Sequence, residues 1–138
     1  MRQRYFLDTS YLLALELRND QNHEHAQRHW QTFRQNLPYF VTTSYVFDEV
    51  VTFFNSRHYH AKAVSVGTRL LTSAKVTLAH IDEELFYQGW RYFVRHEDKQ
   101  YSLTDCISFI VMNQYQLTTA FTFDHHFTQA GYMLEPGD

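Results

Sequence analysis

Four carboxylates far apart along the chain, Asp8, Glu49, Asp105 and Asp124, fall where alternating strands and helices would gather them. Carboxylates brought together repel, and each is driven toward its protonated form unless a cation lies among them. With water and substrate oxygens they make the ligand set of hard divalent ions, Mg²⁺ and Mn²⁺ above all. That chemistry suits phosphodiester hydrolysis. No zinc-type pattern competes, because the nine histidines follow no HExxH spacing and the lone Cys106 excludes any CxxC motif. Taken singly, each acid also has an ordinary structural use. Ser102 and Asp105 stand three apart ahead of Ile107, Ile110 and Val111, as in a capping box with Asp in place of Glu or Gln, and the charge meets the positive end of the helix dipole. Glu49 reads as a solvated helix charge, Asp8 and Asp124 as turns after strands.

The elements that position these acids follow from apolar spacing. "RYFLD" (4–8) is a short buried strand, and Leu12, Leu13, Leu15 and Leu17 mark a helix over 10–20. A more polar helix over 21–36 buries Ala26, Trp30 and Phe33 and is ended by Pro38. "YFVTT" (39–43) is strand-like, and Thr43 or Ser44 caps a helix over 45–57. A helix over 61–74, a strand over 75–81 and a helix over 83–96 follow. Asp82 caps the last, and Leu85, Phe86, Trp90 and Phe93 form its apolar face. The run closes with a helix over 103–115, a strand over 118–124 and a short edge strand over 131–136. Strands separated by helices predict a three-layer α/β/α sandwich with a central, mainly parallel sheet.

In such a sheet, ligands bind outside the carboxyl ends of the strands. Asp8 and Asp124 end strands, Asp105 begins a helix, and Glu49 lies in the first turns of the helix after "YFVTT". Asp48 competes for that fourth place, but Glu49 shares the helical row of Val46, Val50 and Phe53.

At 138 residues, 44% of them hydrophobic and only six Gly or Pro, the chain reads as one domain over 1–138 with a packed core and short loops. Cys106 has no partner for a disulfide and reads as core packing in a reducing cytoplasm. Asp8 interrupts the stretch where a signal peptide would be apolar, and no run is long enough to span a membrane. A net charge of −3 gives no general attraction for nucleic acid, although a bound cation would supply positive charge locally.

"FLDTSYLLAL", "TTSYVFDEVVTFF", "YSLTDCISFIVM" and "AFTFDHHFTQAGY", in this order and spread over residues 6 to 132, resemble the PIN-domain ribonucleases, especially VapC-type toxins of prokaryotic toxin–antitoxin pairs. The resemblance implies an endoribonuclease whose acidic quartet, Asp8, Glu49, Asp105 and Asp124, holds one or two Mg²⁺ or Mn²⁺ ions. Thr9 would support that site without ligating directly, and His125 or His126 could stand in beside Asp124 as a support behind the ligands. Cys106 stands where the family often has Ala. The resemblance further implies a homodimer, an antitoxin protein that blocks the acids, and RNA as substrate. Arg57, His58, Lys62 and Arg69 are candidate phosphate contacts, and Tyr45, Phe53, Phe54, Tyr59 and Tyr87 candidate interface residues. Two rival readings remain. One is a degenerate, non-catalytic binding module. The other is a phosphatase using Asp8 as nucleophile, although Ser10 occupies the place where such enzymes carry a second Asp.

Overall fold

The computed structural model describes residues 3–137, leaving Met1, Arg2 and Asp138 outside. The chain runs β1 (Arg4–Leu7), α1 (Thr9–Glu16), α2 (His23–Gln31), β2 (Tyr39–Thr43), α3 (Ser44–Ser56) and α4 (His60–Thr72). It continues through β3 (Val76–Ala79), α5 (Glu83–Arg95), α6 (Leu103–Gln114), β4 (Thr119–Phe121), α7 (His126–Gln129) and β5 (Met133–Glu135). The strands form one sheet in the order β3-β2-β1-β4-β5, and every neighbouring pair is parallel. Burial explains the strand sequences. β1, β2 and β4 are covered on both faces and are nearly continuous apolar runs, whereas edge strands β3 and β5 are only partly covered.

The chain lays β2 and β3 on one side of β1 and then returns to lay β4 and β5 on the other. The order therefore reverses between β1 and β4, and a crevice opens beyond their carboxyl ends. One face of the sheet carries an aromatic cluster around Phe121, whose ring centre lies 4.7 Å from Tyr5, 5.0 Å from Tyr11 and 5.1 Å from Phe40. On the other face Phe127 lies 5.0 Å from Phe109 and 6.1 Å from Phe6.

Several elements are shorter than the sequence predicts. The helix over 10–20 stops at Glu16, because Leu17 is extended and Asp20 Oδ1 accepts from the Asn22 amide, drawing the chain into a turn. The helix over 21–36 ends at Gln31, where three-residue turn bonds from Thr32, Phe33 and Arg34 tighten the chain ahead of Pro38. The four-residue α7 is too short to leave a periodic signal.

The apolar face assigned to the helix over 83–96 is corrected. Gly89 is its buried residue, Leu85 and Tyr92 are half-buried, and Trp90 and Phe93 stay 47% and 40% exposed. The packing row is therefore Leu85, Gly89 and Tyr92. The reason is close approach to α6: a Cβ on Gly89 would lie 2.4 Å from Ile107 Cγ1.

Gly89→Ala should consequently destabilise the fold despite alanine's better helix propensity, by about 1–2 kcal/mol net of overpacking and propensity. The measurement is the urea midpoint at unchanged m-value; a midpoint at or above the wild type's would mean α5 can retreat from α6.

Candidate metal centre

Asp8 sits where the sheet hands over to a helix. Its amide still donates to the Phe121 carbonyl of β4 at 3.1 Å, and its side chain caps α1. Oδ2 accepts from Thr122 Oγ1 at 2.7 Å, Ser10 Oγ at 2.9 Å and the Ser10 amide at 3.4 Å. The two hydroxyls lie 3.0 Å apart, and with both protons aimed at Asp8 none is left between them. Oδ1 receives no donor from the described residues, yet no buried side-chain oxygen among them lacks a partner, so Oδ1 faces solvent although Asp8 is only 5% exposed.

Asp105 repeats the arrangement. The expected capping box is present: the Asp105 amide donates to Ser102 Oγ at 2.9 Å and the Ser102 amide donates to Asp105 Oδ2 at 3.1 Å. The same Oδ2 meets His126 Nδ1 at 2.9 Å, while Oδ1 stays open. Asp124, in the loop after β4, is held by its own amide on Thr122 Oγ1 at 3.0 Å. Its Oδ1 accepts from the His126 amide at 2.9 Å and lies 3.3 Å from His126 Nδ1. One donor atom from each of Asp105, Asp124 and His126 lies within 4.8 Å of the others.

Glu49 is outside that tight group. It is exposed on α3, and Thr9 donates its hydroxyl to Oε1 at 2.7 Å, which ties it to the residue after Asp8. Asp48 accepts from Thr52 on its own helix instead. Among the candidate phosphate contacts, Lys62 and Arg69 converge on Glu16 at 3.3 and 3.2 Å, and Arg57 stacks on Phe53 at 4.4 Å. Of the candidate interface aromatics, Phe54 is fully buried in the core, whereas Tyr59 and Tyr87 are exposed.

Burial raises the Asp8 carboxyl from 3.8 to about 6; Asp105 and Asp124 push the same way, and the Thr122 and Ser10 hydrogen bonds oppose them. Asp105 is raised by burial and by Asp124, against hydrogen bonds from Ser102 and His126. Burial, then Asp105, lifts the Cys106 thiol to about 11, so it packs as a neutral group. Among the described residues no lysine or arginine forms an ion pair with Asp8, Asp105 or Asp124. Open carboxylate oxygens without a protein cation are a donor set that fits a hard divalent ion.

The sequence reading passed over Ser10 and Thr122 as parts of the site. Their signal was spacing: each is a hydroxyl two residues from an acid, after Asp8 in "DTS" and before Asp124 in "TFD".

A family model for the PIN domain matches residues 5–131. The chain is 34% identical over 128 residues, 93% of its length and 95% of the relative's, to the 23S rRNA-specific endonuclease VapC20 of Mycobacterium tuberculosis. Its fold is similar to the crystal structure of VapC20 from that organism, a sarcin–ricin loop cleaving toxin, with a TM-score of 0.84 at 32% identity, covering 95% of this chain and 97% of that one. VapBC2 of Rickettsia felis, bound to a promoter DNA fragment, matches with a TM-score of 0.66 at 13% identity over 96% of this chain and 98% of that one. VapBC-1 of nontypeable Haemophilus influenzae matches at 0.65 and 12% over 96% and 97%. These last two speak to the fold alone.

The raised Asp8 carboxyl sets a sign. With a folded value of about 6 against 3.8 unfolded, the neutral acid is favoured in the fold. Its contribution to stability is present below about pH 4 and lost as pH rises through about 6, on the order of 3 kcal/mol. In EDTA, the melting temperature of the wild type should fall more steeply from pH 4 to 7 than that of Asp8→Asn, and Mn²⁺ at pH 7 should restore the wild type more than the variant. Parallel pH profiles in scanning calorimetry would refute this.

Proposed function

This chain belongs to the PIN-domain family, and on that premise we propose that it is a metal-dependent endoribonuclease, the toxin of a toxin–antitoxin pair, acting in the cytoplasm. The observation that carries the proposal is the set of three carboxylates at the crevice beyond β1 and β4, each with one oxygen anchored and one left unbonded by the described residues. Identity of 34% to a 23S rRNA-specific endonuclease across 93% of the chain supports ribosomal RNA as the substrate class. The fold match to a sarcin–ricin loop cleaving toxin supports a structured loop as its form. A cognate antitoxin protein and a second copy of the chain are the partners this reading brings. No helix among the described residues is long and apolar enough to cross a membrane.

In this reading Asp8, Glu49, Asp105 and Asp124 hold one or two Mg²⁺ or Mn²⁺ ions. A bound divalent cation supplies Lewis acidity, which makes water a better nucleophile and offsets charge building on the phosphoryl oxygens. Ser10 and Thr122 fix Asp8 so that Oδ1 keeps its bearing, and the capping box does the same for Asp105. Thr9 steadies Glu49 through Oε1, which would leave Oε2 as the oxygen it offers to the ion. No histidine base is required. A phosphatase reading is weaker here, since Ser10 donates to Asp8 where a second carboxylate would have to stand.

The test is incubation with ribosomal stem-loops and single-stranded RNAs, with and without EDTA. Cleavage should require Mg²⁺ or Mn²⁺, and Asp8→Asn and Asp105→Asn should slow it by on the order of 100-fold or more while circular dichroism stays unchanged. Cleavage that survives EDTA, or variants as fast as the wild type, would overturn the proposal. Absence of cleavage of every RNA would favour a binding module, and a beryllium fluoride adduct at Asp8 a phosphatase.

A further inference from the structure

Away from the acidic crevice, on the sheet face that carries the Phe121 cluster, lies a second polar system. Tyr11, fully buried on α1, places its hydroxyl 2.8 Å from His29 Nδ1 on α2, and His29 Nε2 lies 2.7 Å from Glu135 Oε1 on β5. Burial, then the Glu135 charge, raises the Tyr11 phenol, so it keeps its proton and donates to Nδ1. The imidazole proton then sits on Nε2 and points at Glu135. Phe121 and Phe33 meet the imidazole edge to face at 4.6 and 5.1 Å and fix its plane. A hydroxyl, an imidazole and a carboxylate in this order could activate a nucleophile, but Tyr11 reaches no solvent, so the three do no chemistry of their own.

What they join is the surroundings of Asp8. Tyr11 follows Ser10, whose hydroxyl donates to Asp8 Oδ2 and accepts from the Phe123 amide at 2.9 Å. At the other end the Glu135 carbonyl accepts from the Thr122 amide at 3.1 Å, and Thr122 donates its hydroxyl to the same Asp8 oxygen. The contacts close a ring, from Asp8 through Ser10, Tyr11, His29, Glu135 and Thr122 back to Asp8. β5 is a three-residue edge strand, which main-chain bonds to one neighbour alone would leave free to fray. His29 grips it from α2, a helix that His23 and Gln27 also bond to the α1 carbonyls of Ala14 and Leu15.

We propose that His29 is a positioning residue of the acidic centre: by bonding Tyr11 and Glu135 at once, it holds the Ser10 and Thr122 hydroxyls on the Asp8 oxygen that they pin. Its consequence for catalysis rests on the nuclease reading above; its effect on the two hydroxyls does not. With the ring cut at His29, α1 and β5 move independently, and Asp8 loses the alignment of its donors.

The experiment is amide hydrogen exchange by NMR, in EDTA, on wild type, His29→Leu, Tyr11→Phe and His29→Gln. The reporters are the Phe123 and Asp124 amides, which donate to the Ser10 and Thr122 hydroxyls, read against the buried Phe109 and Val111 amides of α6. In His29→Leu and Tyr11→Phe the two reporters should exchange roughly tenfold faster relative to the α6 amides. His29→Gln, whose amide supplies an acceptor and a donor as the neutral imidazole does, should stay within about threefold of wild type. Tyr11→Phe, which deletes one oxygen, carries the measurement if His29→Leu does not fold. With RNA and Mn²⁺, the variants that cut the ring should lose kcat roughly tenfold at unchanged KM. Equal acceleration at all four amides, no acceleration, or an unchanged kcat overturns the positioning role and leaves the nuclease reading standing. A wild type that cleaves no RNA overturns the nuclease reading, and the exchange pattern still decides whether His29 holds the hydroxyls.

Discussion

Like charges held at the margin of a low-dielectric core favour each other's protonation, and the surroundings of Asp8, Asp105 and Asp124 are arranged against that tendency. Two hydroxyls and an amide converge on one oxygen of Asp8, and an amide and an imidazole on one oxygen of Asp105. For Asp8 these contacts lower the carboxyl but do not overcome burial, so the acid stays raised. A protein that needed only caps and turns would do better to supply an arginine, or to let these acids point outward.

The sheet explains why these acids meet at all. β1 and β4 are neighbours in space but more than a hundred residues apart in sequence, and their carboxyl ends deliver Asp8 and Asp124 to one crevice. α6 brings Asp105 to the same place by its N-terminus, and α3 leaves Glu49 one hydrogen bond further out, behind Thr9. The arrangement is thus graded: a close group with His126, a buried acid beside it, and an exposed one at the margin.

Local chemistry made much of this legible. The caps Thr43, Asp82 and Ser102 and the strand over 39–43 appear where short-range rules put them, because each rests on contacts within a few residues. What escaped rests on contacts between distant segments. The inward row of α5 is centred on Gly89, which has no side chain to register in an apolar pattern, so Trp90 and Phe93 drew the face to themselves. The strand expected over 118–124 stops at Phe121 because Thr122 turns its hydroxyl to Asp8 and to the Asp124 amide. His126 lies 21 residues from Asp105, a separation that no helical or strand repeat marks.

The pinning of one oxygen on Asp8 and one on Asp105 has a kinetic side. Three donors on Oδ2 of Asp8 stop the carboxylate from spinning about its own axis, so its free oxygen keeps a fixed bearing in the absence of any ligand. The ordering of these side chains was completed when the chain folded, and an ion held there, as the proposed function has it, would find little left to organise. Its entry would then be limited by how readily it shed its hydration shell, with no rearrangement of the surrounding helices required.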